Sequence, residues 1–376
     1  MESGSRVVVK GHTGNAMYLG DGSFTQTGGT LEVLTPAFIG NDVGHVSQYT
    51  FSGGDAMFSD SLRIGNLGTA RVDHSGSADA IVGNILYLGR FAGSAGTYIK
   101  TGGTLQVSGP LYVGFEGNGV FEQSAGSTTA DSNLVVGSSG IGTFRQSGQS
   151  SVQVGGNLTI GASSTYHLLA GDLTVSGDYN QHPGATLDIQ LGAGVAGIEF
   201  DDIDIMGTAT LGGNLSLSFT DGLVPATGAT VAILDSATLL GVFSNVAPGD
   251  RLDTEDGLGS FQVNYGAASI FEPTQIVLSD FLLAPTIAAD FNEDGSVDGD
   301  DLADWSDGFG ASGNATHAQG DADGDLDVDG AEFLTWQREV GSSPSLAASA
   351  VVPEPGVGLM IAVALAAFAA RRKTLG

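Results

Sequence analysis

Tyr98-Ile-Lys-Thr-Gly-Gly-Thr-Leu105 repeats Phe24-Thr-Gln-Thr-Gly-Gly-Thr-Leu31 and returns more loosely as Phe121-Glu-Gln-Ser-Ala-Gly126 and Phe144-Arg-Gln-Ser-Gly148. A second mark shares its period: Tyr-Leu-Gly20, Phe-Ile-Gly40, Arg-Ile-Gly65, Tyr-Leu-Gly89, Tyr-Val-Gly114, Val-Val-Gly137 and Thr-Ile-Gly161, at intervals of 20, 25, 24, 25, 23 and 24 residues. Each unit reads as strand, turn, strand, Gly-rich turn, strand. Thr104-Leu-Gln-Val107 and Asn157-Leu-Thr-Ile160 alternate apolar with polar residues, the period-2 pattern of a half-buried strand. One such unit cannot bury its apolar face alone, so successive units stack. Seven coils at an interstrand spacing of ~4.8 Å make a rod on the order of 34 Å long. A propeller blade needs about forty residues, so a mainly β fold is expected, a right-handed parallel β-helix over residues 1–197. Gln26, Gln123 and Gln146, at equivalent places, are expected to stack as a hydrogen-bonded ladder. Residues 198–284 stay β-rich but lose the period, as expected of final coils and a C-terminal cap that covers open strand edges.

The next segment changes chemistry. Asp290-Phe-Asn-Glu-Asp-Gly-Ser-Val-Asp-Gly-Asp-Asp301 places oxygens where a twelve-residue calcium loop takes them: Asp290, Asn292, Asp294, Ser296 through its carbonyl, Asp298 and Asp301, with Gly295 at the sharp turn. Thirty-one residues on, Asp321, Asp323, Asp325, Asp327, Asp329 and Glu332 repeat the pattern, with Leu326 in the glycine place. Leucine resists positive φ, so the second site is expected to be weaker or bent. Val297 and Val328 at position 8 of each loop argue against a merely solvated acidic run. Each loop leads into a short helical pattern, Leu302 to Phe309 and Phe333 to Val340, carrying the only two tryptophans, Trp305 and Trp336. Two such units can share one small core.

No helical pattern precedes either loop, so residues 288–341 resemble the type I dockerin, a tandem loop-helix calcium module, more than an EF-hand. The resemblance implies Ca2+ at both loops and a cohesin-like or other surface protein as partner. Dockerins often carry Ser-Thr at loop positions 10 and 11, where this chain has Gly299-Asp300 and Gly330-Ala331. The calcium ligands, not the partner-reading pair, are what carry over. The repeat region resembles the Gly-rich β-solenoid passengers of autotransporter-like bacterial surface proteins in composition.

With 42 acidic and 12 basic residues the formal charge is -30, and residues 290–339 contribute -14 of it. That balance argues against nucleic acid as a partner, since phosphate binding needs a basic surface. The absence of cysteine removes disulfides, thiolate metal sites and a cysteine nucleophile. Sixty glycines without a Gly-X-Y period suit a chain that turns often.

The end of the chain reads as an address. After a linker over 342–352, Val352-Pro-Glu-Pro-Gly356 precedes fourteen apolar residues, Val357 to Ala370, and then Arg371-Arg372-Lys373. Fourteen residues make about 21 Å of helix, short of the ~30 Å hydrocarbon core, but the cationic flank fits a cytoplasmic end. Residues 353–376 resemble the PEP-CTERM sorting signal, which implies a C-terminal hydrophobic helix, export to the cell envelope or surface, transient membrane anchoring and processing by an exosortase. Met1 to Lys10 holds no apolar signal region, so a signal peptide and first coils are expected upstream of this sequence.

Motifs for catalysis are missing. There is no Gly-x-Ser-x-Gly elbow, no phosphate loop, and no i, i+4 pair among His12, His45, His74, His167, His182 and His317, for which surface or turn places are expected. Asp21, Asp42, Asp73, Glu116, Glu122 and Asp131 supply carboxylates to the solenoid, and a glycosidase needs two that converge. Tyr18, Tyr87, Tyr98 and Tyr112 are candidates for a glycan platform, though in-strand positions make most of them core. The expected function is therefore a non-catalytic, exported structural or adhesive protein with a calcium-stabilised docking module. The alternative is an extracellular polysaccharide-binding or polysaccharide-cleaving β-helix.

Overall fold

The chain divides into two units, Met1–Pro285 and Thr286–Gly376. This structure, a computed structural model, describes all residues except 1–4, 11–15, 195–196, 200–202, 221–222, 284–286, 293 and 343–376.

The first unit is a parallel β-solenoid of about eight turns. Each turn contributes one strand to each of three faces. Face A is built from Met17–Leu19, Ala37–Ile39, Leu62–Ile64, Leu86–Leu88, Leu111–Val113, Leu134–Val136, Leu158–Ile160 and Tyr179–Gln181, each in parallel register with the next. Face B runs from Gly22–Gln26 through the first half of Ala95–Val107 to Asn214–Phe219. Face C starts at Arg6–Val9 and ends at Val231–Gly241. The solenoid exceeds the seven glycine marks because Tyr179–Gln181 joins face A without a following glycine.

The glycine mark follows from the corner between faces A and B. Gly40, Gly65, Gly89, Gly114 and Gly137 take φ of 69, 67, 64, 78 and 76°, a region closed to most side chains. Their amides still bond to the coil before, as Gly89 N–H does to the Ile64 carbonyl at 2.9 Å. A Cβ at Gly89 would collide with the Asn118 carbonyl. On face A the outer two residues of each strand point in, so Leu86, Leu88, Leu111, Val113, Leu134 and Val136 are fully buried. Each such side chain contributes about 1.5–3 kcal/mol. On face B the inner column stacks Tyr98, Phe121, Phe144 and Tyr166 with centroids 5.2, 4.7 and 4.8 Å apart.

Gln123 and Gln146 are register neighbours, but no hydrogen-bonded glutamine ladder forms: their amides donate to backbone carbonyls. Gln26 is separated from Gln123 in its column by Phe51, His74 and Lys100. The buried Gln26, His74, Lys100 and Gln123 instead bind carbonyls at the Gly-rich corner, adding to backbone bonds such as Asp55 N–H to the Gly29 carbonyl and Thr104 N–H to the Ala78 carbonyl. Gln26 Nε2 donates to the Gly29 carbonyl, Gln123 Nε2 to Gly126 and Lys100 Nζ to Gly103, at 3.1, 2.7 and 2.8 Å. His74, expected at the surface or in a turn, is 1% exposed, with Nε2 2.7 Å from the Ala78 carbonyl and Nδ1 2.9 Å from the Tyr98 hydroxyl. Burial pushes its pKa down to about 4, which fits a neutral ring donating from Nε2 and accepting at Nδ1. Desolvation likewise draws the Lys100 ammonium down to about 8.

Past Gly194 a short antiparallel return, Gly197–Glu199, pairs with Thr186–Gly194, and the parallel coils then continue through Ile203–Leu211 and Asn214–Phe219. It then turns antiparallel: Val231–Gly241 pairs with Gln275–Leu283, that strand with Gly259–Asn264, and the latter with Arg251–Asp253. Phe243, Val246, Phe261, Tyr265 and Phe281 fill this end. Among the described residues no helix is long and apolar enough to cross a membrane. The sorting tail over 353–376 and its expected C-terminal helix lie outside the described residues, as does the linker after Ser342.

Candidate metal centre

In the second unit, helices α1 (Gly299–Gly308) and α2 (Gly330–Glu339) each follow one acidic loop. Loop position 9 is the N-cap of the following helix, and position 12 is its third residue. Asp298 N–H donates to Asp301 Oδ2 at 2.8 Å, and Asp329 N–H to Glu332 Oε2 at 2.6 Å. Both ends are reciprocal capping boxes, so the cap fixes the acid that a calcium loop uses at position 12.

The two halves lock by exchange. Trp305 Nε1 donates to the Asp329 carbonyl and Trp336 Nε1 to the Asp298 carbonyl, at 2.9 and 2.8 Å. The position-8 valines do the same through the backbone. Val328 N–H donates to the Ala311 carbonyl after α1, and Val297 N–H to the Ser342 carbonyl after α2. Ala289, Phe291 and Val297 are buried together, with Ile287, Trp305, Ala322 and Trp336 packed against them. The chain pattern made the shared core legible; the crossed indole bonds left no sequence signal beyond the tryptophans' equivalent places.

Of the residues named from sequence, the structure brings one set together most tightly. One carboxylate oxygen from each of Asp321, Asp323, Asp325 and Glu332 lies within 4.8 Å of the others, and Asp327, Asp329 and Glu332 form an overlapping group of three within the same distance. Glu332 is 1% exposed, and its Oε1 is enclosed with no hydrogen-bond partner among the described residues; Asp327 Oδ1 is in the same position. Desolvation first, and then Asp325, Asp329 and Glu332, raise the Asp327 pKa.

The first loop wraps its oxygens in its own amides. Asp301 Oδ1 accepts from Phe291 N–H at 2.8 Å and Asn292 N–H at 3.3 Å, while Asp290 accepts from the amides of Asp294 and Gly295. Asn292 Oδ1 accepts from Asp294 N–H, and Asp294 Oδ1 from Ser296 N–H. Asp290, Asp294, Asp298 and Asp301 form no comparably tight group of three acids among the described residues. The acids of the second loop are thus the more closely gathered. Leu326 does not bend the second loop: it takes φ 73° where Gly295 takes 87°, and its amide bonds to Asp321 at 3.0 Å as Gly295 does to Asp290 at 2.9 Å. The loop keeps its turn and carries backbone strain of roughly 1–2 kcal/mol.

Oxygen-only donors at these places suit a hard divalent cation. The solenoid's candidate residues are spread out. Asp73 is held by Arg71 and Gln48, Asp131 accepts from Gln106, and Asp21 accepts from the Val46 amide. Tyr98 points into the core, but Tyr18, Tyr87 and Tyr112 point outward from face A, against the expectation that most were core. Three-residue strands bury their ends, so the middle residue faces out. No family model, curated protein or solved structure matches this chain.

Proposed function

We propose that residues 288–341 form a calcium-binding, dockerin-like interaction module attached to a β-solenoid stalk, in an exported protein of structural or adhesive role. The observation that carries this is Glu332, a buried carboxylate with one oxygen on its helix cap and the other unpartnered among clustered acids. Buried charge of one sign needs compensation, and an oxygen-liganded calcium ion supplies it. Asp290, Asn292, Asp294, Ser296, Asp298 and Asp301 would hold one ion, and Asp321, Asp323, Asp325, Asp327, Asp329 and Glu332 the other. Calcium binding only the folded loops would stabilise them by mass action. Where calcium is plentiful, the module would be ordered and ready for a surface-protein partner. The order of Pro-Glu-Pro motif, apolar run and basic cluster supports sorting to the cell envelope by an exosortase-type enzyme.

Calorimetric titration of the full chain with calcium tests the module. Two binding events are expected, one lost in Asp290→Ala and the other in Asp321→Ala. No heat at millimolar calcium would remove the calcium assignment. A second proposal, that the solenoid binds an extracellular polysaccharide, is favoured by the outward tyrosines of face A, and binding of the full chain to immobilised glycans tests it.

A further inference from the structure

The middle residues of face A form one outward column: Tyr18, Phe38, Arg63, Tyr87 and Tyr112 stand in register. Tyr18 stacks on Phe38 at 5.0 Å and Tyr87 on Tyr112 at 5.3 Å. The Arg63 guanidinium lies between these pairs, 4.6 Å from the Phe38 ring and 6.0 Å from that of Tyr87. At the adjoining corner Arg90 lies 5.4 Å from the Tyr87 ring and 4.5 Å from that of Phe91. Phe115 meets Tyr87 and Tyr112 edge-on.

Neither arginine has a carboxylate partner among the described residues. Arg63 Nε and Nη1 are enclosed without any hydrogen bond, and Arg90 donates only to Asn66 Oδ1 at 3.2 Å. The nearby acid Asp60 is occupied by Ser61 and Asn84. Burial first, and then the like charge of Arg90, disfavour ionised Arg63, and the attraction of Asp60 offsets them only in part. Two adjacent cations with no carboxylate in hydrogen-bond contact, on a chain of charge -30, are therefore a local cost that an arriving anion would relieve.

We infer that the Arg63–Arg90 patch on face A recognises an acidic polysaccharide, whose carboxylate or sulfate groups meet the Arg90 guanidinium and Nη2 of Arg63 while its sugar rings lie along the aromatic column. The inference rests on the polysaccharide-binding proposal above and names its ligand class. The face also narrows the alternatives. From Ala37–Ile39 to Leu158–Ile160 every face A strand is paired on both sides, so a peptide finds no free edge on which to add a strand. A polysaccharide needs no backbone pairing; it offers sugar C–H surface to rings, hydroxyls to tyrosines and spaced anions to arginines.

The test is binding of the full chain, with chelator present so that calcium cannot bridge acid to acid, to four probes: polygalacturonate oligomers, a sulfated galactan, a neutral galactan and poly-glutamate. The acidic glycans are expected to bind, with affinity falling as salt rises, and to show whether carboxylate or sulfate is preferred. Arg63→Gln is expected to weaken binding about 10- to 100-fold. Arg63→Lys should recover part of it. Arg90→Gln, at the corner rather than in the stacked column, is expected to weaken binding even if the Arg63 change disturbs the stack. Neutral galactan binding as well, unaffected by either change, would overturn the arginine assignment while leaving glycan binding intact. Equal binding of poly-glutamate would overturn the sugar assignment. Failure of all glycans to bind would remove both proposals.

Discussion

The solenoid and the loop-helix unit solve the same problem in opposite ways. Each turns its backbone through tight corners and ties those corners down with side chains. In the solenoid the corner presents carbonyls, and buried donors close them from inside: Gln26, His74, Lys100, Gln123 and Gln146. In the loops the corner presents amides, and acids close them: Asp290, Asp301, Asp321 and Glu332. The first arrangement is neutral apart from Lys100 and is complete without a ligand. The second concentrates negative charge, and its completion calls for a cation. The solenoid should therefore ignore chelator and the loops should not. On adding chelator to the full chain, limited proteolysis is expected to cut within 288–341 while the sheet signal in far-UV circular dichroism persists. Equal resistance in both units, or loss of both, would break the comparison.

The next largest effect lies in the solenoid's own corner. Gly89→Ala adds a left-handed penalty to a collision with the Asn118 carbonyl, a sum of about 3 kcal/mol. Gly93 is a control, since it has φ 82° but nothing within 4 Å of an added Cβ. Gly93→Ala should cost only about 1 kcal/mol. Urea midpoints of the solenoid measure both, and calcium affinity should stay the same in each variant. If the two alanines cost the same, the close approach of neighbouring coils is not what selects glycine there.

These positions also explain what was legible in the chain. The coil period was readable because only glycine tolerates the corner at Gly40, Gly65, Gly89, Gly114 and Gly137, and the loops were readable because oxygen donors recur at every second place. Which polar residues face inward was hidden, because alternation reads a polar residue as solvated. Yet a signal existed: aligning Tyr98 to Leu105 with Phe24 to Leu31 puts Lys100 at the place of Gln26, and both are 0% exposed. The outward tyrosines were concealed by the shortness of face A strands, where one residue in three faces solvent. The tightness of the second acidic cluster was not legible at all, since it depends on side-chain directions that ligand spacing does not encode.

Lys100 is the one place where the solenoid breaks its neutral rule, so it sharpens the contrast. Lys100→Gln copies the neighbouring Gln123 and removes a buried ammonium that no carboxylate touches, and it is expected to stabilise the solenoid by about 1–2 kcal/mol at neutral pH. The pH dependence has a definite sign. Folding lowers the Lys100 pKa from 10.5 to about 8, so the unfolded chain holds the proton longer and stability rises between those values. Folding lowers the His74 pKa from 6.5 to about 4, so stability falls as pH drops through that lower window. Lys100→Gln should erase the alkaline rise and leave the acid loss. Urea unfolding across both windows checks this, and an alkaline rise that survives in the variant would show that another group titrates there.

The smallest effect falls on the one left-handed leucine in the loop unit. Leu326 is 51% exposed, so shortening it to glycine removes little packing, while its φ of 73° becomes permissible. Glycine also makes the unfolded chain more flexible, which offsets part of the gain. The net stabilisation of the second loop should be about 0.5–1 kcal/mol, seen as a calcium affinity raised about two- to fivefold at one of two sites. The mirror change, Gly295→Leu, should weaken the other site by a similar or larger factor. The two loops then differ by one residue's backbone cost. An affinity that falls in Leu326→Gly would mean that the leucine side chain, not the turn, holds the second loop in place.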